Sequence, residues 1–186
     1  ADPARIGLFG EGFGGYLALQ ALVNSPERFA AGASFGAVTD LKRLIADDRR
    51  YMRRSAVDSI LILPTYGSWD ALGAISPVRN ADRIRAPVLI AHGTEDPRYH
   101  VKHLRKMERA LAKAGRPYES LRYRGATSIF LDDEERIEFF SRVGAFFDRH
   151  LKSGRDVART GAEPDERGTG AAPEQTRAAT EERGKP

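Results

Sequence analysis

Apolar and polar positions along the chain alternate between two periods, and together they spell strands separated by helices. Ile6, Leu8 and Phe9 form a short apolar run of strand type, and Tyr16 to Val23 continue as an apolar helix face. Asn24, Ser25 and Pro26 break that pattern, and a second strand follows over Phe29 to Phe35, rich in small residues. Thr39 or Asp40 can cap a helix reaching to about Asp58, with Leu41, Leu44 and Ile45 on one face. Ile60 to Leu63 is apolar, and Pro64, Tyr66, Gly67, Ser68 and Trp69 read as irregular. Ile75-Ser76-Pro77-Val78 then leads into a short helix near Asn80 to Ile84.

The second half repeats the alternation. Pro87 to Ala91 is a buried-type strand ended by His92-Gly93, with Asp96 in the loop that follows. Tyr99 to Ala114 is strongly amphipathic, with Val101, Leu104, Met107 and Leu111 at helical spacing and Gly115 past its end. Tyr118 to Tyr123 alternates as a strand does, Gly125 to Phe130 forms a loop, and Asp132 to Leu151 is the last helix. That helix is expected to bury Ile137, Phe140, Val143, Phe146 and Phe147. The order predicts an α/β fold, a parallel sheet of about four strands flanked by helices, with loops at the strands' carboxyl ends carrying any site. From Ser153 the apolar pattern stops; residues 153–186 have no aromatic and one branched aliphatic, Val157, and are expected to be disordered. The organisation expected is thus a domain over 1–152 and a tail.

Composition narrows the function classes. The 186 residues, 41% of them hydrophobic, suit one core. No apolar run approaches the ~18 residues of a membrane span, so no membrane partner is expected. With no Cys there is no disulfide, thiolate metal site or cysteine nucleophile, and neither a metal nor a cofactor is expected. The net charge of +4 is modest. Its clearest cluster, Arg49, Arg50, Arg53 and Arg54, could face phosphate. Flanked by Asp47, Asp48 and Asp58 and without an aromatic ladder, it reads as a solvated helix face, and no nucleic-acid partner is expected. The chain starts without Met and runs almost at once into a buried-type strand, as a fragment would. No leader sequence is visible, so a cytoplasmic location is expected.

Candidate chemistry concentrates in Arg5 to Ala21. Gly10, Gly12, Gly14 and Gly15 crowd a turn between a strand and a helix, the context of the nucleophile elbow G-x-S-x-G, but with Gly12 in the middle place. The same glycines satisfy the dinucleotide fingerprint G-x-G-x-x-G. That fingerprint wants an acidic residue closing the next strand, which instead ends in Gly36 and Ala37. A purely structural glycine turn is the third reading of this window.

Later segments extend the comparison. GEGFGGY at 10–16, SP at 76–77, PVLIAHGTEDPR at 87–98 and GATSIF at 125–130 follow one another in order. Over about residues 2–152 the set resembles the catalytic domain of the prolyl oligopeptidase family of serine peptidases, which has the α/β-hydrolase fold. The resemblance implies a triad in the order Ser, Asp, His. By position it puts Gly12 in the nucleophile's place, Asp96 in the acid's and Ser128 in the histidine's, with the Phe13 amide in the oxyanion hole. It also implies peptide or small ester substrates cleaved through an acyl-enzyme. Glycine has no oxygen to attack with, and a serine hydroxyl is no base near neutral pH, so the chain is expected to be inactive. His92, His100, His103 and His150 stand elsewhere and do not repair this. A non-catalytic module binding a peptide or protein partner is the alternative. Asp96 has a second reading as a carboxylate at a helix amino terminus, and Tyr66, Trp69 and Tyr99 could line a pocket or simply pack. The family sheet has about eight strands. The half-domain before the elbow is therefore expected as a missing partner, and an open edge at Ile6, Leu8 and Phe9 is expected to favour self-association.

Overall fold

The computed structural model describes residue 2 and residues 5–51, 68–127 and 133–152. Four strands, β1 (Gly7–Glu11), β2 (Ala31–Phe35), β3 (Val88–Gly93) and β4 (Tyr118–Tyr123), form one parallel sheet in the order β1-β2-β3-β4. Register aligns Phe9 with Ala33, Ala33 with Leu89 and Leu89 with Glu119. Among the described residues five α-helices accompany them, α1 (Gly12–Asn24), α2 (Leu41–Tyr51), α3 (Trp69–Ala74), α4 (Lys102–Lys113) and α5 (Asp133–Leu151), with short 3-10 turns at Pro77–Arg79 and Ala81–Arg83.

Strand alternation divides the core into two layers. Val88 and Ile90 point to one face of β3, where Leu19, Leu22 and Val23 of α1 meet Leu104, Met107 and Leu111 of α4. Leu89 and Ala91 point to the other, where Ala31, Ala33 and Phe35 of β2 pack on Phe139, Val143 and Phe146 of α5. With both faces covered, β2 and β3 are buried at every position, as a parallel sheet requires. A third cluster, Tyr16, Val38, Leu41, Leu44, Ile45 and Leu72, sits near the strands' carboxyl ends.

Local chemistry accounts for the element boundaries. Asp40 caps α2, its Oδ1 accepting the Arg43 amide at 3.1 Å, and Leu41, Leu44 and Ile45 are all buried as the spacing predicts. Ser68 caps α3 by accepting the Ala71 amide at 3.3 Å, so Trp69 opens a helix and the irregular segment expected there ends at Ser68. The serine of the Ser76-Pro77 pair is a buried rivet. Its hydroxyl donates to the Leu72 carbonyl at 2.6 Å and accepts the Leu41 amide at 2.9 Å, tying α3 to α2.

Two expectations are corrected. Helix α4 starts at Lys102, not Tyr99, because Asp96 and His100 side chains hold the amides of Arg98, Tyr99 and Lys102 in turns. On α5 the buried stripe is Phe139, Val143 and Phe146, while Ile137 is 64% and Phe140 46% exposed. Apolar residues cover more than one face of that helix, and only a stripe at i, i+4 and i+7 is fully buried, while Phe147 and Leu151 pack at its margin, partly buried. The surplus overhangs the β1 edge, where the Phe140 ring lies 6.0 Å from that of Phe9. Among the described residues β1 has no second neighbour. The expectations for Ile60 to Leu63, Tyr66, Ser128 and residues 153–186 lie outside the described residues, as do the side chains of the Arg49, Arg50, Arg53 and Arg54 cluster.

Candidate active site

The glycine turn works by close approach. A Cβ on Gly10 would come within 2.2 Å of the Gly14 carbonyl oxygen, so the end of β1 can touch the first turn of α1 only without side chains. Gly12 opens α1 with φ +53, a left-handed conformation costly for other residues. Strand, left-handed turn residue and helix reproduce the elbow's backbone without its serine. Phe13 is the second residue of α1, so its amide is among the first four of the helix, which have no acceptor within it. That is where an oxyanion donor would stand.

Four loops meet at the carboxyl ends of the strands. The Val38 amide donates to the Gly12 carbonyl at 3.2 Å, joining the elbow to the loop after β2. The loop after β3 is joined to that after β4 by three bonds. Thr94 and Glu95 amides donate to the Tyr123 and Ala126 carbonyls at 2.9 and 3.0 Å, and the Gly125 amide donates to Thr94 Oγ1 at 2.9 Å. The segment that runs on to Ser128 therefore departs beside the loop that carries Asp96. Ser128 itself lies outside the described residues.

Asp96 is 5% exposed and its two oxygens have different surroundings. Oδ1 accepts the amides of Arg98 at 2.8 Å and Tyr99 at 2.9 Å, which fixes the carboxylate and folds the turn. Oδ2 is buried with no hydrogen-bond partner among the described residues, 3.5 Å from where a Cβ on Gly36 would sit. A carboxylate held by one oxygen and left open at the other is placed to receive an imidazole N–H. Helix α4 starts six residues later, so Asp96 is not its capping residue.

The two buried histidines, His92 and His103, are not available as a base. His92 is 1% exposed, and its Nε2–H donates to the Tyr99 carbonyl, 3.9 Å from Asp96 Oδ2. Burial lowers its pKa below the ordinary 6.5, outweighing the Tyr99 carbonyl and Asp96, so the ring is neutral with that proton committed. His103, buried behind it, accepts the Thr39 amide on Nδ1 at 3.2 Å, while Thr39 Oγ1 donates to the His103 carbonyl at 2.9 Å. Burial, with His92 adding to it, brings the His103 pKa down to about 4. Between the ordinary 6.5 and about 4 the unfolded chain therefore binds a proton that the folded chain refuses. Stability is full above pH 6.5 and falls through that window, by about 3 kcal/mol at its acid end. Urea unfolding at pH 7 and pH 5 should show the loss, and His103→Gln should reduce the slope, leaving the part that His92 contributes; equal stabilities at the two pH values would contradict it.

Tyr99 is the residue the sequence left undecided between pocket and packing. Its ring lies over Gly12, with Cε2 2.8 Å from where a Cβ would project. Trp69 is 42% exposed under the Lys42 ammonium, 5.7 Å from the ring centre. No group of three His, Asp or Glu able to hold a metal occurs among the described residues, and no described helix is long and apolar enough to cross a membrane.

Known proteins are similar to this chain. The mouse protein named inactive dipeptidyl peptidase 10 is 28% identical over 166 residues, taking in 89% of this chain and 19% of the relative. The uncharacterized peptidase YuxL of Bacillus subtilis is 26% identical over 162 residues, covering 81% of this chain and 23% of the relative. Among solved structures, a puromycin-hydrolyzing peptidase of Mycobacterium tuberculosis superposes with a TM-score of 0.71 at 28% identity, over 81% of this chain and 22% of that one. The chain thus spans about a fifth of the length of these relatives. The sequence profile of the prolyl oligopeptidase family matches residues 1–154, and the chain belongs to that family.

Proposed function

We propose that this chain is a prolyl-oligopeptidase-type hydrolase domain that keeps the architecture of a serine peptidase site and forms no acyl-enzyme. The observation that carries the reading is Gly12, φ +53 at the head of α1: the elbow's backbone with no oxygen on it. In this reading Asp96 is the retained acid, Phe13 N–H a retained oxyanion donor, and Ser128 stands where the general base would. Peptides or small esters are the substrate class such a site would recognise. A peptide carbonyl meeting the Phe13 amide would find no nucleophile, and no imidazole would be present to move a proton.

A second reading, a module that binds a peptide or protein partner without cleaving it, is favoured by the apolar margin along β1. Phe9 is 42% exposed there, beside the half-exposed Phe140, on a strand with one free edge among the described residues. Such an edge offers unpaired N–H and C=O groups to another strand, and self-association belongs to the same proposal.

A fluorophosphonate probe and a p-nitrophenyl ester test the first reading. The chain should take up no label and release no nitrophenol above a buffer control, since neither step proceeds without a nucleophile. Stoichiometric labelling would overturn it. Sedimentation of the same sample should show concentration-dependent association, whereas a monomer at every concentration would remove the support for the second reading.

A further inference from the structure

We propose that Tyr99 closes this site sterically: its ring fills the volume that any side chain at position 12 would need, so Gly12 and Tyr99 are a matched pair. The inference rests on the reading of Gly12 as the nucleophile's position and adds an obstruction that the lost serine and histidine do not create.

The geometry is direct. A Cβ at position 12 would lie 2.8 Å from Tyr99 Cε2 and 3.5 and 3.6 Å from Cδ2 and Cζ. The first distance is well inside carbon–carbon contact, so the ring must move before any side chain fits. The backbone that carries the ring is held at both ends. The Tyr99 amide donates to Asp96 Oδ1 at 2.9 Å, and the Tyr99 carbonyl accepts from buried His92 Nε2. Asp96 in turn is fixed by the Arg98 amide at 2.8 Å. Moving residue 99 as a whole would therefore break the turn that positions the acid. Rotation of the side chain is the remaining escape. It would take the ring away from the third core cluster, against which it packs, and away from the Arg98 guanidinium 5.4 Å from its centre. Position 12 thus meets two independent penalties, the left-handed backbone and the ring. Only the second depends on residue 99.

That separation supplies the test, a double-mutant cycle on the full 186-residue chain read by thermal unfolding. Gly12→Ala should lower Tm in the parent. In the Tyr99→Ala background the same change should lower it by at least ~3 °C less, because the backbone penalty persists and the collision does not. In the Tyr99→Phe background the loss should match the parent's, since the ring remains. Equal losses in all three backgrounds would overturn the proposal. Should Tyr99→Ala fail to fold, the parent chain decides the matter by itself. The Gly12 Hα protons should show a nuclear Overhauser contact to the Tyr99 ring protons and an upfield ring-current shift. Absence of both would overturn the pairing. These readouts need no activity, so they fail separately from the proposed function, which labelling of the parent chain would defeat.

Discussion

Gly12→Ser alone should leave the chain unreactive toward a fluorophosphonate. The new hydroxyl would have no imidazole to take its proton, and its Cβ would collide with the Tyr99 ring. Ser128→His alone should also do nothing, since there would be no oxygen for the base to activate. Triad members act as a unit with strongly non-additive effects, so only their combination can raise the rate substantially. The Gly12→Ser, Ser128→His chain should remain slow while Tyr99 is in place. Adding Tyr99→Ala should bring labelling above background. It should stay well short of a complete enzyme, because the Phe13 amide is the one oxyanion donor identified among the described residues, and the lack of one such donor typically costs about 10²–10³ in rate. Asp96→Asn in that triple variant should remove most of what was gained, as loss of the carboxylate in a triad costs about 10⁴. Rapid labelling of the single Gly12→Ser variant would show that another residue is the base and that Ser128 is wrongly assigned.

Phe139→Ala should be among the most damaging core truncations, at about 3–5 kcal/mol, whereas Phe140→Ala should cost about 1 kcal/mol or less. Phe139 is fully buried, its ring centre 5.1 Å from that of Phe35 and 6.1 Å from that of Tyr123, so truncation opens a cavity between α5 and the sheet. Phe140 is about half exposed, and the space it leaves is open to water. In urea unfolding the midpoint should fall steeply for the first variant and hardly move for the second. Equal losses, or the reverse order, would mean that α5 presents the face expected from the sequence rather than the one seen here.

The two cases mark how far residue order alone carries. Strand, glycine turn and helix over Ile6 to Val23 were legible because each depends on neighbours in sequence, through side-chain alternation, a conformation open mainly to glycine, and helical spacing. Four parallel strands followed from the same local periods, and so did the Leu41, Leu44 and Ile45 stripe and a cap at Thr39 or Asp40, between which the structure chooses Asp40. The order of GEGFGGY, SP, HGTED and GAT carried the family, since motif spacing is preserved when the bodies of helices and strands vary. That position 12 is a glycine, with no side-chain oxygen, needed no structure at all.

Tertiary structure decided what depends on partners distant in the chain. Seven large apolar residues crowd α5, and which of them is buried was settled by the limited width of the sheet beneath, not by periodicity. The start of α4 moved because two side chains compete for amides that a helix would otherwise use. Sequence placed His92 and His103 only as standing outside the triad positions; burial and backbone partners are what make them neutral and unavailable. Asp96 was legible as a candidate acid, yet only the fold divides its oxygens into one that is bonded and one that is open. Tyr99 could not be read as an obstruction, because it meets Gly12 only through three-dimensional packing at the ends of β1 and β3, 87 positions apart in the chain. What the sequence by itself determined about this protein is its family, its sheet and the glycine at position 12; which groups meet at the site, and which stand in the way, was decided by packing.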